Sequence, residues 1–501
     1  MTKKGIIFYT TLFLLILTFS MTASHFDFDL WARLIAGMGV IDGGHVLKTD
    51  FLSYTPTHTW WDHEWGASVV FYAFYKYFGA YSLIVLQSLM FFGIFFTASR
   101  IVKMRTNHNP YNILYYIFAV IIAMDTLNSP IRCHMFSFLF FTIFIYLLEK
   151  VRLGNKKLLF LIPVIIVFWN NIHGGVVAGI GLLCMYALGE FLNKKPFMQY
   201  IYTLIASCAA LFINPWGYDY IKFLLMANTM PRTFIVEWRS IFNTINLTDF
   251  IKFKIYAPII LGIEAVYLIK DIKSKTKNWY NELDKTKYIV VLATTYLACS
   301  HIKLIPFFII SAVCFMYEDF YEITKNIKFP VWKDKFIYGF IIFLCVFTLV
   351  SKEYTLPVGM DKYPVKEIEF VKINKLKGNI LTNFGYGSYA AYKLYPNNLI
   401  YMDGRYEEVY PDYAIKLMKE FFMASKVWEQ LITYFPPDII ILEKTYPIYN
   451  FPEFRKDWKI VYEGNMFGVF LPYKKSNKNF IQPSNDINYY KNNLFSTDIK
   501  F

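Results

Sequence analysis

The stretch of residues 80–99, AYSLIVLQSLMFFGIFFTAS, decides the fold class because it runs for 20 residues without a charged side chain. A helix of about 20 apolar residues spans the hydrocarbon core of a bilayer, where an isolated segment satisfies its backbone hydrogen bonds only as a helix. Comparable stretches recur over the first 350 residues. We predict about eleven transmembrane helices, at 5–23, 80–99, 111–127, 134–149, 158–169, 174–192, 198–213, 251–269, 287–300, 303–317 and 335–350.

The first of these segments has a second interpretation. Lys3 and Lys4 precede its apolar run, as basic residues do in a signal peptide. The run has nearly the length of a spanning helix, and an acidic motif follows it directly. These two features favour a membrane anchor.

The surplus of positive charge predicts the orientation. The chain has 501 residues, of which 51 are Lys or Arg and 37 are Asp or Glu, a net charge of +14. Alternate loops between the predicted helices are basic, and basic loops stay in the cytoplasm. We therefore predict a multi-pass protein of the cytoplasmic (inner) membrane with a cytoplasmic N-terminus. With the charge explained by orientation, nucleic acid is not an expected partner.

The chain divides into a membrane part and a polar part. Residues 1–350 are predicted to form a transmembrane domain, in which 24–79 is the first outer loop and 64–78 an interfacial helix. After that, strand-like runs alternate with helix-like ones, which predicts an extracytoplasmic α/β domain at 351–475. Residues 476–501 are rich in Asn, Ser and Lys without a period, which predicts a disordered tail. The strand-like runs are 379–382, 399–402, 438–442 and 467–471.

Two carboxylates follow the first predicted span. Asp27 and Asp29 lie at the expected bilayer boundary among aromatic residues, where a carboxylate is costly to keep without a purpose. One of them is a candidate general base, and the pair is a candidate site for a divalent cation such as Mg or Mn. Two solvated acids at a helix end are the alternative. No other cofactor is expected.

The same loop continues with Trp61, Asp62, His63 and Glu64. Glu64 is a second candidate acid or base, and His63 and Trp61 are candidate substrate contacts, since tryptophan faces stack on sugar rings. Anchoring in the membrane interface explains the tryptophans about equally well.

Other polar residues cluster in the loops predicted on the outer side. Arg132 and Lys303 are cations that could hold a phosphate or extend to lipid headgroups. The amide and imidazole groups near residue 171 can be explained in part by hydrogen bonds that cap loops. An ion pair within a turn explains the presence of Asp403 and Arg405 as well as a binding loop does. The candidate substrate-binding residues in this group are Arg132, Asn171, His173, Arg239, His301, Lys303, Asp403 and Arg405.

The order of these motifs resembles the GT-C superfamily of polytopic glycosyltransferases. A span ending in Asp-x-Asp, a long outer loop closing in Trp-x-x-His-Glu-Trp, and further spans before an outer α/β domain carry the resemblance, which covers roughly residues 5–470. The likeness is greatest to bacterial members related to protein mannosyltransferases and to enzymes that add sugars to lipid A. Four further segments look like signatures of a largely uncharacterised bacterial branch: 129–132, 169–175, 214–217 and 402–405.

The resemblance implies a membrane glycosyltransferase. Its donor would be a polyprenyl-phosphate-linked sugar and its acceptor an envelope lipid, glycan or protein on the outer face, with inversion at the anomeric carbon. Asp27 or Asp29 would take or orient the acceptor proton, while Arg132, His301 and Lys303 would stabilise the departing phosphate. Some members use a divalent metal at the acidic motif and others do not.

Two other functions fit a polytopic chain with outer loops. One is an O-antigen-type polymerase or ligase, which would lack the early acidic motif. The other is a non-enzymatic lipid or glycan transporter, which would place polar groups at mid-membrane on broken helices.

Overall fold

A computed structural model describes residues 2–23, 26–124, 130–230, 235–244, 246, 249–274, 280, 283–325, 333–352 and 363–501. The chain forms two compact units. One, the helical unit, comprises Met1–Ser24 and Leu83–Tyr354, and the other, the mixed unit, comprises His25–Ser82 and Thr355–Phe501. Two short segments that border predicted site residues lie outside the described residues. Residues 24–25 precede the acidic motif, and residues 125–129 come shortly before Arg132.

The chain is mostly helical, with one small sheet near its C-terminal end. The α-helices are α1 Lys3–Ala23, α2 Leu30–Ile41, α3 Trp65–Phe78, α4 Tyr81–Arg105, α5 Ile113–Met124, α6 His134–Arg152, α7 Leu161–Ile172, α8 Val177–Leu192, α9 Met198–Ala210, α10 Tyr218–Thr229, α11 Ile251–Ser274, α12 Lys285–Ser300, α13 Ile305–Phe315, α14 Tyr317–Thr324, α15 Lys333–Ser351, α16 Val365–Ile373, α17 Phe384–Leu394, α18 Tyr406–Val409, α19 Asp412–Phe422, α20 Glu429–Tyr434, α21 Pro452–Asp457 and α22 Ile487–Asn493. The strands are β1 Gly378–Leu381, β2 Asn398–Ile400, β3 Ile439–Glu443, β4 Trp458–Glu463 and β5 Phe467–Pro472.

Each of the predicted spans corresponds to a helix, and several of these helices fit a membrane protein. Four are long and apolar enough to cross a bilayer: Lys3–Thr22, Tyr81–Arg105, His134–Arg152 and Gly174–Leu192. The pair Ile302–Phe315 and Tyr317–Thr324, bent by 59°, makes a fifth if it counts as one span. This count covers the described residues only, and the other predicted spans stay predictions.

A network of buried charges joins four helix ends in the helical unit. Arg105, at the end of α4, donates to Glu149 of α6 at 2.6 Å and to Asp284 at 2.9 Å. Arg152, at the end of α6, donates to Glu190 of α8 at 2.9 Å and to Asp284, just before α12, at 2.7 Å. The sequence predicts these loops on one side of the membrane, and within the helical unit their helix ends meet.

The mixed unit is built on a five-stranded sheet in the order β2-β1-β3-β5-β4. Strands β2, β1 and β3 are parallel, while β5 runs antiparallel to β3 and β4. Four of these strands coincide with the predicted strand-like runs. The segment around Ser53 adds to the open edge of β2 through a parallel bridge to Ile400.

The first outer loop belongs to this mixed unit, which differs from the predicted domain boundaries. The sequence prediction places 24–79 in the transmembrane domain, whereas the structure groups His25–Ser82 with the C-terminal residues. The reason is apolar burial by α2, a helix that the prediction did not contain. Trp31 is fully buried, with its ring 4.9 Å from Tyr389 and 5.2 Å from Tyr392 of α17.

The predicted interfacial helix is present as α3, and it packs against α2. A Cβ at Gly37 of α2 would lie 2.3 Å from the Ser68 carbonyl oxygen of α3, so only glycine permits this close approach. The location of α3 on a membrane surface stays a prediction.

The prediction of a disordered tail at 476–501 is wrong. The segment contains α22, and Phe495 is 9% exposed. Its ring lies 5.0 Å from Trp31 and 4.9 Å from Tyr75. Lys393 donates to the carbonyl oxygens of Asn493 and Ser496 at 2.6 and 2.8 Å, which fixes the end of the helix. The segment is polar in composition, but a few of its aromatic residues pack against the rest of the mixed unit.

We expect Phe495→Ala to lower the free energy of unfolding of the mixed unit by about 3–5 kcal/mol, the usual cost of removing a buried phenylalanine side chain. Thermal melting and limited proteolysis of the full chain in detergent measure the effect. Ile487→Ala, in the same segment but 55% exposed, is the matched control and should change stability by less than about 0.5 kcal/mol. Equal melting of the two variants would contradict the packing of the tail.

Candidate functional site

The mixed unit brings together three motifs that are far apart in the sequence. The Ser388 hydroxyl donates to the Phe28 carbonyl oxygen at 2.7 Å, which holds the acidic motif against α17. The loop 402–405 lies against the same motif, because a Cβ at Gly404 would be 1.9 Å from Asp29 Oδ1. The Trp61 amide donates to the Glu408 carbonyl oxygen at 3.4 Å. The predicted motifs of the first outer loop and of the α/β domain therefore form one cluster.

The two carboxylates of the acidic motif differ in exposure. Asp27 is 3% exposed, and its carbonyl oxygen accepts from the Leu30 amide at 3.2 Å. Asp29 is half-buried and directly precedes α2. A carboxylate at a helix N-terminus is stabilised by the helix dipole. Asp29 is therefore the member of the pair that solvent or a ligand can reach.

Arg33 of α2 lies among three acids and is almost fully buried. Its Nη1 pairs with Asp62 and lies 3.5 Å from Glu64, and its Nη2 donates to Glu408 at 3.1 Å. A buried guanidinium needs such partners, because an unpaired charge away from water costs several kcal/mol. The ion pairs join α2, the 60–64 segment and α18.

Glu408 is the acid with the most partners in this cluster. Trp60 Nε1 donates to its Oε2 at 2.8 Å, and His63 Nδ1 lies 2.9 Å from its Oε1. Burial opposes ionisation of Glu408, but Arg33 and His63, together with the Trp60 hydrogen bond, lower its pKa. Glu408 therefore stays ionised at neutral pH.

Asp62 behaves in the opposite way. Burial raises its pKa to about 6 against the attraction of Arg33, and the negative charges of Glu408 and Glu64 add to the rise. The single positive charge of the guanidinium cannot balance the negative charges of all three carboxylates. The pKa of one of these acids therefore rises.

Three candidate metal ligands lie together at a place other than the predicted pair Asp27 and Asp29, and metal binding at either place stays a prediction. Among the described residues, ligand atoms of His63, Glu64 and Glu408 lie within 4.8 Å of one another, whereas Asp27 and Asp29 are not part of such a group of three. The imidazole lies between the two glutamates, with Nε2 3.8 Å from Glu64. Either a proton on His63 or a bound cation would offset the carboxylate charge there.

Asp403 and Arg405 are enclosed. Arg405 donates from Nε to Asp403 at 2.9 Å and from Nη1 to Asp50 at 2.9 Å, and its guanidinium lies 4.4 Å from the centre of the Trp60 ring. Burial raises the pKa of Asp403, although Arg405 opposes the rise. Both residues hold the 402–405 loop in position, and their predicted contact with a substrate stays a prediction.

In the helical unit, the residues predicted to stabilise the departing phosphate lie near Trp238. Arg132 pairs with Glu237 at 2.6 Å, and Lys303 Nζ lies 3.1 Å from the centre of the Trp238 ring. The His301 ring meets the edge of the same indole at 5.6 Å. Burial and the Lys303 charge lower the pKa of His301, whose contact with a substrate stays a prediction.

Arg239 and Asn171 contribute to the loop structure of the helical unit. The Arg239 carbonyl oxygen accepts from the Ile302 amide at 3.1 Å, which joins this segment to the start of the turn before α13. Asn171 Nδ2 donates to the carbonyl oxygens of Val167 and Ile213, each at 2.8 Å. The amide group of Asn171 thus joins the last turn of α7 to the segment that follows α9.

His173 has a defined hydrogen-bonding state. The Gly175 amide donates to its Nδ1 at 3.0 Å, and Ser137 Oγ lies 2.7 Å from the same nitrogen. Trp169 Nε1 donates to Ser137 Oγ at 2.7 Å, which leaves the serine hydroxyl to donate to His173. Nδ1 is therefore an acceptor, and the proton of the neutral ring is on Nε2.

Several residues of these clusters were missed by the sequence predictions. A lone arginine in the apolar helix 30–41 was a detectable signal for Arg33, and Asp62 lies inside a motif that was recognised. Ser137, Asp50 and Glu408 gave no local signal, because their roles come from contacts with distant segments.

The chain matches no protein-family model and no curated protein. The likeness to the GT-C superfamily therefore depends on the motifs and on their positions within the units.

The raised pKa of Asp62 predicts a pH-dependent stability difference between the wild type and Asp62→Asn. In the unfolded chain an aspartate has a pKa of about 3.9, below the folded value of about 6. The stability that Asp62 contributes is therefore fully present below about pH 4 and is lost as the pH rises through 6, by at most about 1.4 kcal/mol per pH unit.

Melting temperatures of both proteins between pH 4 and pH 7.5 measure this difference, which should fall with rising pH and become flat above pH 7. Asp412→Asn removes an exposed carboxylate of the same unit and controls for the loss of one charge. A difference that grows with pH would contradict the assignment.

Gly175 can be tested against another glycine of the same region. A Cβ at Gly175 would lie 2.5 Å from Ser137 Oγ and 2.6 Å from His173 Nδ1, whereas a Cβ at Gly181 of α8 meets nothing within 4 Å. We expect Gly175→Ala to lower the melting temperature and Gly181→Ala to leave it unchanged or raise it slightly, since alanine favours a helix by about 1 kcal/mol over glycine. Equal melting temperatures would contradict the Ser137–His173 packing.

Proposed function

We propose that the chain is a membrane glycosyltransferase that moves a sugar from a polyprenyl-phosphate donor to an envelope acceptor on the outer face of the cytoplasmic membrane. The observation that carries the proposal is the meeting of the acidic motif, the 60–64 motif and the 402–405 loop in the mixed unit. These motifs are the ones by which the sequence resembles the GT-C superfamily. Several apolar helices support a membrane location.

The reaction requires a group that takes a proton from the acceptor hydroxyl. We assign this role to Asp29, because it is half-buried while Asp27 is enclosed. The acceptor oxygen bonds to the anomeric carbon on the face opposite the phosphate, the bond from that carbon to the phosphate oxygen breaks, and the proton passes to Asp29. A carboxylate is a weak base for an alcohol, so Asp29 acts while the proton is leaving in an oxocarbenium-like transition state.

The enclosed residues keep this base in place. Arg33 follows Asp29 by one helical turn, and its amide donates to the Asp29 carbonyl oxygen at 3.2 Å. Gly404 contacts the carboxylate of Asp29, and Arg405 holds the Gly404 loop through Asp403 and Asp50. His63, Glu64 and Trp61 are partly exposed beside this network and are the proposed contacts of a sugar substrate.

The leaving phosphate requires positive charge. Arg132 and Lys303 stay the candidates for this role on the resemblance alone, since a cation in a dry site best stabilises developing phosphate charge. A divalent cation, Mg or Mn, is a further proposed aid, and His63, Glu64 and Glu408 are the residues that would hold it.

The test compares envelope glycans and lipids by mass spectrometry in a strain without the gene and in strains that carry variants of it. The glycan missing from the deletion strain identifies the sugar and the acceptor. We expect Asp29→Asn to lower sugar transfer on the order of 100-fold or more, the usual contribution of a general base. Asp27→Asn should also impair transfer, while Asp412→Asn, at an exposed position, should restore it fully.

The melting temperature and membrane level of each variant separate loss of activity from loss of folding. If Asp29→Asn supports transfer at the wild-type rate, the general-base assignment is wrong. If the deletion changes transport of a glycan without changing its composition, the protein is a transporter.

A further inference from the structure

The sheet of the mixed unit contains a point at which the order of its parallel strands reverses. From β1 the chain passes through α17 to β2 on one side, and it then returns past β1 to β3 on the other side. These three strands are parallel, so their carboxyl ends lie at one edge of the sheet. Open α/β sheets bind ligands outside the carboxyl ends of the strands between which the order reverses. In this sheet those strands are β1 and β3.

Four polar side chains follow these two strands and join them by hydrogen bonds. Asn383, shortly after β1, donates from Nδ2 to the Tyr446 hydroxyl oxygen at 2.7 Å. Tyr386 of α17 donates its hydroxyl hydrogen at 3.0 Å to Oε2 of Glu443, the last residue of β3. All four residues are half-buried. Asn383, Tyr386, Glu443 and Tyr446 together are the strand-end cluster.

The strand-end cluster is held in a fixed arrangement. Asn383 Oδ1 accepts from the Gly385 amide at 3.0 Å, which caps α17 and leaves Nδ2 to donate to Tyr446. The Tyr386 ring lies edge to face with the Phe28 ring at 5.4 Å. A site that is preformed in this way reduces the entropy cost of binding a ligand.

The cluster has hydrogen-bonding capacity that the described residues do not use. Glu443 accepts one hydrogen bond at each oxygen, from Tyr386 and from Thr445, whereas a carboxylate has about four acceptor sites. The Tyr446 hydroxyl accepts from Asn383, and no described residue accepts its hydrogen. Burial and the Glu443 charge raise the pKa of Tyr446, so this hydroxyl keeps its proton at neutral pH.

A buried hydroxyl at the same strand end also has no partner among the described residues. Thr382 directly precedes Asn383 and is 1% exposed, and its Oγ1 makes no hydrogen bond with a described residue. Most buried polar side-chain atoms in proteins are hydrogen-bonded, so an unpaired hydroxyl here indicates a partner from outside the chain. This observation points to a ligand at the carboxyl end of β1.

The carboxylates give this edge of the sheet a negative charge. Glu443 belongs to the strand-end cluster, and Asp29 directly follows Phe28, whose ring contacts the cluster. The adjacent cation, Lys444, pairs with Glu463 at 3.1 Å. An anionic group of a ligand would be repelled by these carboxylates, whereas a sugar hydroxyl can donate to a carboxylate and accept from a tyrosine.

We propose that the strand-end cluster binds a neutral sugar of the acceptor through two neighbouring hydroxyl groups. One hydroxyl donates to Glu443 and the other accepts from Tyr446, while the half-buried Phe28 ring lies along the sugar. Because Phe28 directly precedes Asp29, a sugar in this position has a hydroxyl beside the proposed base. The assignment of the sugar to the acceptor rests on the proposed function, whereas binding of the sugar does not.

Saturation-transfer NMR of the full chain in detergent tests the binding. The probes are the methyl glycosides of glucose, galactose, mannose and arabinose, with the uronates of the three hexoses as matched anionic sugars. We expect at least one neutral glycoside to bind, and every uronate to bind at least tenfold more weakly than that glycoside. Binding of no neutral glycoside, or equal binding of a uronate, would overturn the proposal.

Conservative variants locate the binding site. Glu443→Gln and Tyr446→Phe each alter one proposed hydrogen bond to the sugar and should weaken its binding about tenfold. Glu429→Gln and Tyr434→Phe make the same chemical changes at exposed positions of the mixed unit and should leave binding unchanged. Melting temperatures separate loss of binding from loss of folding. Unchanged binding by a folded Glu443 or Tyr446 variant would overturn the proposal.

Failure of sugar binding is distinguishable from failure of the proposed function. The NMR experiment contains no donor, so a bound glycoside would remain valid even if Asp29→Asn showed the proposed base to be wrong. Loss of transfer in Asp29→Asn without binding of any neutral glycoside would overturn only the sugar site. The sugar that binds should match the end of the acceptor that accumulates in the deletion strain. A match to the transferred sugar instead would overturn the assignment to the acceptor.

Discussion

The guanidinium of Arg33 has three carboxylates around it, and each of them comes from a segment that the mixed unit must hold in place. Asp62 and Glu64 belong to the first outer loop, and Glu408 follows the sheet by way of the 402–405 loop. Burying a charge costs several kcal/mol unless its partners are well positioned. The position of α2, which begins at the acidic motif, is therefore bound to the positions of both loops.

The ion pairs of Arg405 extend this constraint to a second loop. Trp60 donates its indole hydrogen to Glu408, and the Arg405 guanidinium lies over its ring. Arg405 in turn holds Asp403 and Asp50. One tryptophan thus joins two buried charge clusters, and the low dielectric around them strengthens each hydrogen bond. Gly404 lies between these clusters and Asp29, so the network determines the surroundings of the acidic motif.

The long apolar helices and most strands could be predicted because their signals are local. Apolar runs and alternating patterns indicated helices in the first part and four of the strands near the C-terminus. α2 was not predicted, because its apolar side chains lie in a loop that was identified by its polar motifs. The tail was predicted disordered from its composition, yet Phe495 and Tyr490 are buried by partners more than 100 residues away or by the tail itself. The partners of Glu408 likewise depend on long-range contacts, and a single sequence carries no local sign of them.

A charged residue beside an apolar run of sequence can hold the structure together or can be accessible to a ligand. The burial of its side chain distinguishes these two roles. With only 18% of the residues charged, several carboxylates and cations beside apolar runs became candidate site residues. Asp403 and Arg405 prove to be enclosed and paired, so their charges maintain the loop. Asp29, Glu64 and His63 remain partly exposed beside the enclosed residues. Enclosed charges hold a geometry, whereas partly exposed ones next to them can meet a ligand without reorganising the core. By this criterion, Asp29, His63 and Glu64 are partly exposed charged groups of the mixed unit that stand next to enclosed ones.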